Sequence, residues 1–283
     1  MAALEIHLLG RFEVLHDGTP VADFRTQKTR ALLVYLALHA GTPLSRAALA
    51  GIFWPEQSAT GAAHNLRQAL TFLRRAIRNR PETPPPPDAT LLTTRSTATF
   101  SLTGEYWLDV TSFKRRLVVG LAEGGGSPSL TPDQVNALAE AVRLYRGPLL
   151  TGFFVDGAPE FETWLLTERE RLQAGALAAL DRLAEFHLVR SEYPRARDLL
   201  LQALALDPWH ETAHRGLMRA LALAGHPNAA LAQYEKCRQV LTEGLGVEPL
   251  EATQALYRQI LTGEAGLQPA PLAAVKASRY AHA

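Results

Sequence analysis

The residues best suited to chemistry fall on one helical stretch. From Gly61 to Asn79, His64, Arg67, Gln68, Thr71, Arg74, Arg75 and Arg78 recur at three- and four-residue spacing. At 100° per residue they share a continuous arc, and Leu66, Leu70, Leu73 and Ile77 form a narrow apolar stripe opposite. No carboxylate occurs between Thr60 and Arg80. A solvated helix face usually mixes acids with bases, so an arc of guanidinium groups and hydrogen-bonding side chains points to a polyanion. A helix of about 17 residues spans roughly 25 Å, enough for several side chains to lie along a major groove. Gln68 suits an adenine edge, Arg75 a guanine edge and the Thr71 methyl a thymine, with His64 beside them as a fourth base reader. Arg67, Arg74 and Arg78 on the flanks suit phosphates, helped by Lys28, Arg30 or Arg46 where their helix starts face the duplex.

The elements that must position this arc can be read around it. Leu4 to Leu9, Phe12 to Leu15 and Thr19 to Val21 are short apolar segments broken by Gly10-Arg11 and by His16-Asp17-Gly18, which predicts a small antiparallel sheet. Thr26 to His39 changes to helical period, and Gly41 stops it. A second helix starts at the N-cap Ser45 and ends at Trp54-Pro55. The arc-bearing helix is the third, starting at Ser58 or Gly61. Five prolines within Pro81 to Pro87 then force a loop, and Leu91–Thr94 with Ala98–Leu102 predict a hairpin around Arg95-Ser96-Thr97. Three helices and a hairpin are the layout of a winged helix, and the preceding strands fit its response-regulator variant.

From about Asp109 the chain is helical. Gly124 to Pro128 reads as a flexible loop, and Thr131-Pro132-Asp133-Gln134 as a strong helix start, with a cap, proline at N1 and glutamine at N3. Gly147-Pro148 ends that helix, and Pro159 to Val189 carries a long one. Tyr193-Pro194-Arg195-Ala196 is echoed 33 residues later by His226-Pro227-Asn228-Ala229, close to the 34-residue period of the tetratricopeptide helix pair. Such pairs stack into a curved array whose concave face binds a peptide or another domain. Further helices are expected near 229–241 and 250–261. The Ala-, Pro- and Gly-rich segment after Gly263 reads as a tail or linker.

Other chemistry is poorly supplied. His187, His210, His214 and His226 are scattered without further ligands at metal spacing, so no metal or other cofactor is expected. Asp156, Glu160 and Glu162 pair with no nucleophile, and none of Lys28, Lys114, Lys236 and Lys276 sits in a phosphate-loop context, so the chain is not read as an enzyme. Trp164, Tyr193, Trp209 and Tyr234 are read as packing residues. The 29 Lys and Arg nearly balance 28 Asp and Glu, so attraction to nucleic acid must be local. One cysteine, Cys237, no leader pattern and no bilayer-length apolar run together give a cytoplasmic reading.

Two sets of residues resemble a known family. Gln27–Leu33, Leu49–Pro55 and Asn65–Arg75 resemble the DNA-binding domain of the antibiotic-regulatory-protein class of bacterial activators. Tyr145–Leu150, Ala229–Tyr234 and Glu243–Pro249 resemble their bacterial transcriptional activation domain. The resemblance runs from about 4 to 262, with both modules in the right order. It implies a sequence-specific activator that binds double-stranded promoter DNA as a homodimer on direct repeats and helps recruit RNA polymerase. It places the recognition helix on Ala62 to Ile77 and the wing on Thr90 to Leu102, where Arg95 is the only basic residue.

The expected architecture is mainly α. It comprises a response-regulator-type winged helix-turn-helix over 1–108, a tetratricopeptide-like all-α helical repeat domain over 109–263, and a tail over 264–283. The competing reading is a protein-interaction scaffold whose winged helix serves as a docking module.

Overall fold

The computed structural model describes residues 4–78, 90–101, 106–122 and 130–263. The proline-rich Pro81–Pro87, the Gly124–Pro128 loop and the tail after Gly263 lie outside the described residues. Those within 1–114 and 144–172 form one compact unit, and those within 115–143 and 173–282 form another.

In the first unit β1 (Leu4–His7) pairs antiparallel with β2 (Glu13–His16), and β2 with β3 (Thr19–Pro20). The β2–β3 turn puts Asp17 at φ 50° and Gly18 at φ 75°, the positive-φ pair that a tight hairpin needs. Thr26 caps α1 (Gln27–Leu38), its side chain accepting from the Thr29 N–H, and Ser45 caps α2 (Arg46–Phe53) in the same way through Ala48. The two-residue β4 (Leu44–Ser45) leads into α2, and α3 (Ala59–Arg78) follows it. β5 (Leu91–Thr93) and β6 (Thr97–Phe100) form the expected hairpin, and β6 also pairs with β4, giving the order β4-β6-β5.

The sequence did not signal β7 (Tyr106–Leu108), which pairs in parallel with β1 and completes the order β3-β2-β1-β7. Next comes α4 (Asp109–Gly120), whose first residue pins the sheet. One Asp109 carboxylate oxygen accepts from the Leu8 and Leu9 N–H groups at 2.8 and 2.9 Å, and the other from Val110. Burial pushes the Asp109 carboxyl above the usual range, against the pull of those three donors.

Residues 144–172 belong to this unit and continue its backbone pairing. Leu150 N–H donates to Leu8 O, Gly10 N–H to Pro148 O and Thr151 N–H to Gly10 O. Arg169, on α6 (Pro159–Val189), donates to the carbonyls of Leu149, Leu150 and Phe153, fixing that loop. Trp164 packs edge-on to Tyr35 of α1, and Phe161 against Phe53 of α2. The helices that carry α3 therefore rest on aromatic rings from residues 161–164.

The second unit is all helix among its described residues. Thr131 and Gln134 make the expected capping box at the head of α5 (Pro132–Leu144): each side chain accepts from the other's backbone N–H. α7 (Tyr193–Leu206), α8 (Glu211–Leu223), α9 (Pro227–Leu245) and α10 (Glu251–Thr262) follow as a stack of helix pairs. Prolines at the starts of α7 and α9 mark the repeat. Leu180, Ala184, Leu200, Ala203, Leu217 and Ala220 share one core, and Met218, Ala230, Tyr234 and Ile260 the next. Gly216 lets α8 approach α7 closely, since a Cβ there would stand 2.8 Å from a Leu200 methyl. The chain is thus mainly α, a winged helix followed by a tetratricopeptide-like helical stack.

Candidate nucleic-acid interface

Twenty residues of α3 contain no acid, and the helix divides cleanly by burial. Ala62, Leu66, Ala69, Leu70, Leu73, Ala76 and Ile77 are buried. Thr60, Ala63, His64, Arg67, Gln68, Thr71 and Arg75 are exposed along a single stripe. The helix starts where Ser58 Oγ accepts from Gly61 N–H. Alternating steps of three and four keep the exposed residues on one side.

Within the stripe two side chains are already paired. Gln68 Nε2 and His64 Nε2 lie 2.9 Å apart. The Thr71 hydroxyl donates to the Arg67 carbonyl one turn back, so the residue offers a methyl and a lone pair rather than a donor. Arg67 and Arg75 enter no ion pair or side-chain hydrogen bond among the described residues, leaving two cations on one acid-free face.

The other basic residues singled out in the sequence are placed differently. Arg74 is half-buried and donates to Thr93 Oγ1 of the hairpin. Arg46 donates from Nη1 to Thr94 O and from its backbone N–H to Ser96 O. Together they clamp the hairpin to α2 and α3. Thr94 Oγ1 accepts from the Ser96 and Thr97 N–H groups and shapes the turn, on which Arg95 is exposed. Lys28 donates to Phe53 O at 2.7 Å and Gly157 O at 3.2 Å and lies near the Trp54 ring. Burial lowers its pKa, opposed by the charges of Asp156 and Glu56. Arg30 stacks over Phe12. Arg78 closes α3, and its side chain lies outside the described residues.

The structure thus gathers His64, Arg67, Gln68, Thr71 and Arg75 on one stripe, and sets Arg46, Arg74 and Arg95 at the hairpin. Lys28 bonds two carbonyl oxygens, and Arg30 lies over the Phe12 ring. Arg25, which sequence reasoning passed over, lies 5.0 Å from the Phe72 ring of α3, at a positive φ in a loop. No periodic pattern marks such a position. No group of three metal-ligating side chains occurs among the described residues, and none of their helices is long and apolar enough to cross a membrane.

The family model for the bacterial transcriptional activator domain matches residues 108–261, more than half of the chain. The regulatory protein AfsR of Streptomyces coelicolor is 27% identical over 94% of this chain, and the transcriptional regulator RedD of the same organism 27% over 91%. The chain belongs to the bacterial transcriptional activator domain family, in its antibiotic-regulatory-protein class. The transcriptional regulatory protein MoaR1 of Mycobacterium tuberculosis is 24% identical over 92% of this family member and 79% of its own length. RedD is covered over 70% of its length, whereas this family member spans a quarter of AfsR. Among solved structures, Mycobacterium tuberculosis EmbR, solved with a low-affinity phosphopeptide, shares the fold at a TM-score of 0.72 and 23% identity. That match covers 93% of this family member and 66% of the EmbR chain.

Proposed function

We propose that this protein is a transcriptional activator that reads promoter DNA with α3 in the major groove. The observation that carries the reading is the exposed, acid-free stripe of His64, Arg67, Gln68, Thr71 and Arg75. Gln68, Thr71 and Arg75 face base edges, and His64 stands beside them. Arg67 meets a phosphate at the groove wall, with Arg78 at the end of the helix. The hairpin held by Arg46 and Arg74 carries Arg95 to the neighbouring backbone. Lys28, Arg30, Arg46 and Arg74 are not counted among the phosphate contacts, because carbonyl oxygens, an aromatic ring and the Thr93 hydroxyl already engage them.

The finer steps rest on the family. MoaR1 and RedD, named as transcriptional regulators and matched over more than nine tenths of this chain, together with the activator-domain family, support activation of transcription. The class pattern supports binding as a homodimer on direct repeats and recruitment of RNA polymerase. We assign the domains as 1–108 for the DNA reader and 109–263 for the activation module, with residues 144–172 lending structural support to the reader.

Retardation of promoter DNA over a salt series tests this reading. Each phosphate contact contributes about −0.9 to the slope of log affinity against log salt, so Arg67, Arg78 and Arg95 predict roughly −2 to −3 per subunit. A protein-docking module in place of a DNA reader would leave the DNA unshifted at every salt concentration.

A further inference from the structure

The pair formed by His64 and Gln68 assigns a division of labour within the reading stripe. A carboxamide nitrogen has no lone pair to offer, so in this contact Gln68 Nε2 is the donor and His64 Nε2 accepts, with the imidazole proton on Nδ1. The carboxamide has two N–H groups. The one directed away from its own oxygen can serve a neighbour one helical turn back, while the other stays beside the oxygen. An adenine edge presents one donor, N6–H, and one acceptor, N7. The remaining Gln68 N–H and Oε1 match that pair.

We propose that His64 is a positioning residue that holds the Gln68 carboxamide in the orientation that selects adenine, and that it reads no base itself. This deepens the DNA-reading proposal and rests on it. Without the imidazole acceptor the carboxamide turns about its last torsion, whose two states present opposite donor–acceptor orders to the groove. In one of them a donor faces N6–H and an acceptor faces N7, and the adenine contact is lost. Both residues are exposed and lie opposite the buried stripe of α3, so replacing either leaves the core intact.

The test is a panel of single-base variants of the bound site, titrated at fixed salt with the full chain and with H64A, H64Q, H64K, Q68A and the double variant H64A/Q68A. Wild type is expected to prefer adenine about tenfold at one position, as a bidentate contact does. Q68A removes that preference, and H64A lowers it to about twofold at the same position. The double variant matches Q68A, and H64Q, which restores an acceptor, recovers most of the preference. H64K supplies only donors, turns the carboxamide round and abolishes the adenine preference while raising affinity for unrelated DNA.

Relaxed preference at a second base position in H64A, or independent additive losses in the double variant, overturns the positioning role while leaving DNA reading intact. Absence of any DNA binding by the wild-type chain overturns the DNA-reading proposal, and this inference with it.

Discussion

Lys28 Nζ donates to Gly157 O across 129 positions of sequence, and through Phe53 O it also holds the end of α2. A cation at a helix C-terminus meets the negative end of the backbone dipole, and here it joins α1, α2 and the loop before α6. Lys28→Met keeps the aliphatic stem and removes the ammonium. The expected result is a loss of about 1–3 kcal/mol in chemical unfolding, because two carbonyls lose a charged donor. The salt slope of DNA binding should not change. A drop of about 0.9 in that slope would make Lys28 a phosphate contact instead.

On α3 Arg67 and Arg75 should behave differently. Arg75→Ala is expected to cost about 1–3 kcal/mol on the preferred site and little on unrelated DNA. Arg67→Ala should weaken both and lower the salt slope by about 0.9. Footprints unaltered by either substitution would take α3 out of the interface.

Much of this arrangement is legible in the sequence. The α3 face could be read because its polar and apolar positions follow one helical period, and the start of α5 because Thr131 and Gln134 stand three apart around a proline. β7 was hidden because Tyr106–Leu108 is too short to show alternation and runs straight into α4. The share of residues 144–172 in the first unit was hidden too. Gly147-Pro148 reads as the end of a helix, and nothing local reveals that the backbones of Leu149 and Leu150 just beyond it pair with those of Leu8 and Leu9. Among the cations, type alone could not separate groove contacts from struts. Arg75 and Arg74 are neighbours in sequence, yet one is exposed and the other bonds Thr93.

Cys237 lies fully buried in α9, and burial pushes its thiol up to about 12. At pH 8 in the native protein it should react with a thiol reagent at least about a hundredfold more slowly than in denaturant, since the thiolate is the nucleophile. Equal rates would mean that α9 opens freely, contrary to the close approach of its Gly244 to the Trp209 ring.

His210 Nε2 bonds Asp181 at 2.8 Å. Burial disfavours a charged ring, but the Asp181 hydrogen bond and charge, with Asp207 beyond, outweigh it, and the pKa is raised above 6.5. A histidine raised on folding adds stability below its unfolded pKa, and that stability is lost as pH climbs through the folded value. His214 runs the other way. Burial first, then neighbouring positive charge, lowers its pKa, so its contribution is lost as pH falls through the folded value. Asp181→Asn isolates the first effect. It should cost about 1.5–3 kcal/mol near pH ~5.5, where the His210 ring is charged, and clearly less near pH ~8.5. A cost independent of pH in denaturation of the full chain would refute the assignment.

The parallel contact between β1 and β7 bears on how this chain is made. Leu4 leaves the ribosome long before its partner Tyr106. At roughly 5–20 residues per second, the first strand waits about 5–20 s for the neighbour that covers its far side. Throughout that wait an unpaired backbone edge is open to any other nascent strand, a hazard that falls on translation rather than on the finished molecule. Slowing elongation after α3 should therefore lower the yield of folded protein, with no change in its sequence.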